Sequence, residues 1–381
     1  MRAIIALMPT RCLSVHAHYH CRHAGACCES WTVPAEPRVI QLVATRAIRR
    51  EGVHGALFVE STNPHDTERW NMARDADGRC VFFDRDAGRL CAIHLDAGAG
   101  ALPSACRHFP RKILRDRRGT FISLSHFCPT AAAMLLALDP LRIVDAHPPL
   151  RLSEPVEGMD AADAFPPLVR PGVLSDLDGY DAWERSCVAT FARADLCVQD
   201  ALDLVAAATE DVRGWQPGGV PLADRVHAAF RVALPEAGAD PHAQPRAIGT
   251  LAALCAGRVP DDVMREHRLD DTARFEQTWR QRVGPAFVQF DVPMKNYLAA
   301  RVFANWIAYQ GRGLRSIVEW LRACAALVRH HAVRRAIESG TAPGPADFVE
   351  AARLADLLLL HVVDTQDLAA EFARLEGPDP R

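Results

Sequence analysis

Seven cysteines in the first third of the chain are the residues whose type and spacing carry chemistry most plainly. They are Cys21, Cys27 and Cys28 in Cys-Arg-His-Ala-Gly-Ala-Cys-Cys, then Cys80, Cys91, Cys106 in Cys-Arg-His-Phe-Pro-Arg, and Cys128 in Phe-Cys-Pro. Thiolates are soft ligands that favour zinc, copper(I) or iron–sulfur assemblies. A structural zinc usually draws its ligands from two closely spaced cysteine knuckles. Here an adjacent pair is followed by single cysteines at gaps of 52, 11, 15 and 22 residues, which suits one centre gathered from several loops. One four-iron cluster consumes four thiolates, so seven leave a surplus for a second metal or for buried thiols. Buried thiols without metal are the plain alternative, because free cysteine is so often buried.

The remaining candidates are weaker. His16, His18 and His20 alternate along the chain and read as solvent-facing or packed histidines rather than ligands. The run Arg107, Arg111, Lys112, Arg115, Arg117 and Arg118 suits either a solvated face or a site for a carboxylate or acidic partner. Arg111, beside the Phe-Pro of the Cys106 motif, is its functional candidate. Asp96-Ala-Gly-Ala-Gly-Ala lacks the flanking strand and helix of a dinucleotide-binding turn. His361 sits in an apolar helical stretch and is expected to be a satisfied core histidine. Cys187, Cys197, Cys255 and Cys324 read as small apolar core residues.

The elements that must position these groups divide in two. The 381 residues carry a net charge of −3 with 49% hydrophobic side chains, ordinary for a globular chain. No apolar run reaches the roughly 20 residues of a membrane helix, and the short Ile4–Met8 run before Pro9 is not expected to be a signal peptide. A cytoplasmic location follows as an expectation, since reducing conditions keep thiols available for metal. Residues 1–135 hold 18 basic and 12 acidic side chains, too mild a bias for a nucleic-acid footprint.

The expected fold is mainly α. Residues 1–138 read as a small, irregular, cysteine-rich α+β domain holding a metal or iron–sulfur cluster. Residues 139–174, dense in proline, read as a linker or wrapped connector. Residues 175–381 read as an all-α domain, with helices expected over Trp183–Ala208, Leu222–Leu234, Ala247–Cys255, Thr272–Val283, Lys295–Tyr309, Gly313–Ile337 and Ala346–Leu360. In the first part, Ala3–Met8 and Phe121–Ser125 suit strands, and His16–His20 suits extended chain. Cys80–Phe83 and Leu90–His94 suit a strand pair, and Pro37–Arg50 and Pro129–Leu138 suit helices.

The series Tyr19-His-Cys21, Gly25-Ala-Cys27-Cys28, Cys80-Val-Phe82, Cys91-Ala-Ile-His94, Cys106-Arg-His-Phe-Pro110 and Cys128-Pro129 resembles the cysteine-cluster family of zinc- or iron-chelating domains. Within it the chain is similar to the flagellin lysine-N-methylase branch. That likeness is carried by Ile4–Pro9, Trp31, Cys106–Arg111 and the long helical second half, and less specifically by Asn296–Phe303 and Leu354–Leu368. Ala24 stands where the family pattern has its second cysteine; either His23 beside it substitutes as an imidazole ligand or the site uses fewer thiolates.

The resemblance implies an iron–sulfur cluster, of the 4Fe-4S kind or with zinc as the alternative, held among Cys21, Cys27, Cys28, Cys80, Cys91, Cys106 and Cys128. It implies transfer of methyl from S-adenosylmethionine, with Arg111 as the cofactor-binding candidate, to lysines of a protein substrate such as flagellin. Lysine must lose a proton before it attacks, given its reference pKa of about 10.4. Asp84, Asp86, His94 and His108 are the nearby bases, and nothing in the sequence selects among them. The alternative is a non-catalytic zinc- or iron-binding module with a helical partner-binding domain. Neither nucleic acid nor membrane is an expected partner.

Overall fold

The computed structural model describes residues 9–29, 32–61, 68–84, 90–147, 158–231 and 272–374. The expected strand over Ala3–Met8, the helix over Ala247–Cys255, Trp31 and Asp86 lie outside them.

The chain is mainly helical, with a small sheet-containing N-terminal region and a helical C-terminal part. The sheet is organised on a hairpin of β6 (Arg111–Asp116) and β7 (Gly119–Leu124), paired from Arg111↔Leu124 to Asp116↔Gly119. β1 (Thr10–Leu13) lies parallel to β7 and antiparallel to β8 (Ile143–Asp145), while β9 (Met159–Asp160) lies parallel to β6. The five strands run in the order β8-β1-β7-β6-β9. Both edge strands come from the proline-rich 139–174 segment. Each is short, which is where prolines beside a strand do least damage to a ladder.

Successive strand residues point to opposite faces, and here both faces are covered. Leu13, Leu114 and Phe121 join the main core with Trp183, Tyr297 and Phe348 from the helices. Cys12, Ile113, Ile122 and Leu124 face the other way, against Tyr19 and Cys128. A third, separate core sits beside the sheet. There α2 (Pro37–Arg46) packs Val39 and Val43 with Phe82 and Ile93, and Cys80, Cys91 and Cys106 lie against it.

The helical part begins with α6 (Leu177–Phe191), capped by the Asp176 carboxylate, which accepts from the Gly179 N–H at 2.5 Å. α7 (Val198–Arg213) follows. The periodicity predicts one helix over Trp183–Ala208, but the chain breaks at 192–197. Lys295 explains the break: its Nζ donates to the Arg193 and Leu196 carbonyls at 2.9 and 2.8 Å, satisfying groups that a continuous helix would bond internally. Asp291 accepts from the Val198 N–H at 2.5 Å and starts the second helix. Beyond α8 (Leu222–Ala229) come α9 (Thr272–Thr278), α10 (Gly284–Phe287), α11 (Asp291–Val302), α12 (Leu314–Ser339), α13 (Pro345–Leu357) and α14 (Thr365–Arg374). A π-helical turn, Leu358–Val362, extends α13.

Arg118 at the hairpin turn ties the sheet to α6. It is almost fully buried, pairs with Asp116 at 2.8 Å, Glu184 at 3.0 Å and Asp181 at 3.2 Å, and lies over the rings of Phe121 and Tyr180. Glu184 is itself fully buried and also accepts from the Ala304 N–H at 3.0 Å. Removing one member of such a group strands a buried charge, at a cost of about 3–5 kcal/mol. Glu184→Ala is therefore expected to lose about 3 kcal/mol of stability in urea unfolding; a loss below about 1 kcal/mol would place the network outside the folding core.

Candidate metal centre

Six of the seven cysteines line one cavity of about 410 Å³: Cys21, Cys28, Cys80, Cys91, Cys106 and Cys128. Each is a thiol rather than half of a disulfide. Cys27 lies in the same helical turn as Cys28, α1 (Ala26–Glu29), and its side chain is outside the described residues.

Local chain chemistry explains how each thiol reaches the cavity. α1 is entered through Gly25, whose φ of +83° is a conformation that side chains rarely adopt. A Cβ at Gly25 would also collide with the Phe83 ring, which is buried. The Cys28 N–H closes the turn on the Gly25 carbonyl, and the Cys80 N–H donates to the Cys28 carbonyl, each at 2.8 Å. Thus the Cys28 and Cys80 segments are bonded directly to each other. Cys91 sits on β5 (Leu90–Cys91), opposite Phe83 of β4 (Phe83–Asp84), and caps α3 (Ala92–Ala97). Of the strand pair expected at Cys80–Phe83 and Leu90–His94, only Phe83–Asp84 against Leu90–Cys91 forms: Val81 and Phe82 turn, and Ala92–His94 are already helical. Cys106 lies on α4 (Ser104–His108). Glu36 accepts from the Ser104 N–H at 2.6 Å and Arg38 donates to the Leu102 carbonyl at 2.8 Å, so α4 is fixed to the start of α2. Cys128 caps α5 (Pro129–Met134), and its Sγ is 3.7 Å from the Tyr19 hydroxyl.

The polar lining is cationic and imidazole-rich. Arg107, Arg111, His23, His94 and His108 reach the cavity, and no Asp or Glu does among the described residues. Arg111 lies over the Tyr19 ring and donates to the Arg107 carbonyl at 3.4 Å. Burial, and then the Cys128 and Cys21 thiols, push the Tyr19 hydroxyl pKa up, so Tyr19 is a neutral wall. Burial, then His23, lowers the His94 pKa and favours the neutral imidazole that binds metal. The His23 N–H donates to Cys21 Sγ at 3.4 Å, and its ring lies 5.6 Å from that of His94. Both His23 and Ala24 line the cavity.

Other candidates fall away from it. Asp84 does not line the cavity. The His16–His20 segment is not extended: it turns through Ser14–His16, and His16 is buried with its Nε2 3.1 Å from that of His126. His18 stacks on His147. Arg115 pairs with Asp160 and Arg118 is buried in its carboxylates, so the arginine run is partly structural. His361 is exposed rather than in the core, though it is satisfied, with its Nε2 2.7 Å from Ser125 Oγ. Cys187 and Cys324 are buried among the helices, as expected, while Cys197 is an exposed cap of α7. The apolar walls at Val33, Met72 and Leu102 carry no signal in the sequence that marks them.

The donor set fits a soft metal or cluster: many thiols and two neighbouring imidazoles face one space. Among the described residues no three of these side chains stand close enough to hold an ion as placed. The cavity falls within the roughly 300–1,000 Å³ of small-molecule sites, so it has room for more than one bare ion.

Residues 20–129 match the family CxxCxxCC, described as "Putative zinc- or iron-chelating domain". The likeness is confined to the cysteine region. Over 127 residues, 31% of this chain, it is 27% identical to "Lysine-N-methylase" of Salmonella choleraesuis (strain SC-B67). A stretch of the same length is 26% identical to "Flagellar biosynthetic protein FliU" of Salmonella muenchen. The aligned part spans 30% of the first relative and 72% of the second. No solved structure matches.

The turn at Gly25 is the most constrained point of this centre. Gly25→Ala is expected to cost about 1–3 kcal/mol through the Phe83 clash, lowering the melting temperature and the metal bound per chain together. A variant with unchanged melting and metal content would show that α1 can be entered another way.

Proposed function

We propose that the chain is an iron–sulfur-dependent protein lysine N-methyltransferase that uses S-adenosylmethionine. The supporting observation is the convergence of six motif cysteines on one cavity of small-molecule size, with the Arg111 guanidinium in its wall. The name of the first relative supports the same reading. The ligands would come from Cys21, Cys27, Cys28, Cys80, Cys91, Cys106 and Cys128, with His23 available beside Ala24. A four-iron cluster takes four thiolates and, when bound, supplies Lewis-acidic iron.

The chain's own residues then have definite roles. Arg111, which lines the cavity, would hold a carboxylate through the paired N–H groups of its guanidinium, the amino-acid end of the methyl donor. The apolar walls exclude water. Among the described residues of the wall, the groups that could take the lysine proton are the imidazoles of His23, His94 and His108. The substrate is a protein presenting a lysine; flagellin is the candidate that the family resemblance implies, and one relative's name is flagellar.

The second relative's name describes flagellar biosynthesis rather than catalysis, which supports a second reading: a non-catalytic zinc or iron module whose helical part binds a partner. A transfer assay with labelled donor and flagellin separates the two. The first reading predicts label on lysine, loss of transfer in Cys106→Ser but not in Cys187→Ser, and a rise in donor KM of about tenfold or more in Arg111→Lys, the equivalent of one charged hydrogen bond. Absence of transfer by metal-replete protein, across candidate substrates, would favour the module.

A further inference from the structure

Cys128 differs from the other cavity cysteines in what holds it. Cys80, Cys91 and Cys106 pack against the small core around α2. Cys128 instead follows four consecutive residues that are each bonded to a side chain of the helical part. Arg301 of α11 donates to the Leu124 carbonyl at 2.5 Å. His361 of the π turn meets Ser125 Oγ at 2.7 Å. Asp356 of α13 accepts from the His126 N–H at 2.5 Å. Arg353, also of α13, donates to the Phe127 carbonyl at 3.1 Å and lies over the Phe127 ring. Beyond Cys128, Asn296 of α11 donates to the Leu135 and Ala137 carbonyls, each at 3.0 Å, just after α5 ends. The segment carrying Cys128 is thus fixed on both sides by helices more than 150 residues away in sequence.

The anchor of this clamp is built to stay in place. Asp356 is fully buried, pairs with Arg301 at 3.3 Å and accepts from the Tyr297 hydroxyl at 2.9 Å. Both Asp356 carboxylate oxygens are thus occupied, and a buried carboxylate held in this way has few alternative arrangements. The cavity is therefore assembled from two separately supported walls. One is the α2 core with its three cysteines, and the other is Cys128, placed by α11, α13 and the π turn.

We propose that Arg301, Arg353, Asp356 and His361 are positioning residues that set Cys128 against the other cysteines, so that occupation of the cavity and packing of the C-terminal helices are coupled. A ligand bonded to Cys128 and to a thiol of the opposite wall would join the two supports. By reciprocity, whatever the helices gain from that ligand, the ligand gains from the helices. The coupling rests on the cavity being a metal site, as proposed above; the clamp does not.

Two measurements on the full chain keep these apart. In metal-free, reduced protein, the rate of iodoacetamide labelling at each cysteine is read by peptide mass spectrometry. The double variant Arg353→Met, His361→Phe removes two clamp contacts at partly exposed positions and leaves the Asp356–Arg301 pair intact. Cys128 labelling should rise about tenfold, the scale of one or two lost hydrogen bonds, with Cys187 and Cys324 unchanged. An unchanged Cys128 rate, or an equal rise at Cys187, overturns the clamp. In the second measurement, Zn(II) is added and amide exchange is followed over residues 345–362. Slower exchange in the wild type that is lost in Cys128→Ser but kept in Cys187→Ser supports the coupling. Stoichiometric zinc uptake with unchanged exchange overturns the coupling and leaves the metal reading standing. No zinc uptake overturns the coupling as well, while the labelling rates still decide the clamp.

Discussion

The register of one hairpin governs the rest of this structure. β6 and β7 pair from Arg111↔Leu124 to the turn, and the Ser125 N–H continues the pairing with the Pro110 carbonyl at 2.7 Å. That register brings the Cys106 helix, which ends just before β6, alongside the Cys128 segment, which begins just after β7. It also sends Leu114 and Phe121 into the helical core and Ile113, Ile122 and Leu124 toward Tyr19 and Cys128. A slip by one residue would exchange the two faces. The Cys106 and Cys128 segments thus flank one hairpin, whose strands also carry Arg111 and contribute Leu114 and Phe121 to the helical core.

Charge is arranged around the same hairpin in two different ways. At its closed end Arg118 is buried among Asp116, Asp181 and Glu184, where it fastens sheet to helix. At its open end Arg111 lines the cavity, lies over the Tyr19 ring and donates to the Arg107 carbonyl. The first arginine is internally satisfied. The second borders the space that the cavity cysteines share, so the two ends of one arginine-rich run have different surroundings.

Much of the centre was legible because its chemistry resides in residue types. Seven thiols, the Gly25 before the cysteine pair and the Phe-Pro after Cys106 mark the region without coordinates, and the family match falls on that stretch. What the sequence could not display was set by distant contacts. The break between α6 and α7 depends on Lys295, some hundred residues away. The leucines before His361 suggest a core residue, but it lies at the exposed end of the π turn with its Nε2 against the buried Ser125 hydroxyl. Proline density in 139–174 marked a connector, yet β8 and β9 within it close both edges of the sheet. The clamp on Cys128 links residues that share no local pattern.

The central claim is that the converging thiols hold an iron–sulfur cluster. Iron, zinc and acid-labile sulfide per chain, measured on protein purified without oxygen, test it most directly. The account predicts brown protein with about four irons and four sulfides per chain, as a cubane requires. Colourless protein carrying stoichiometric zinc, or no metal at all, would contradict it.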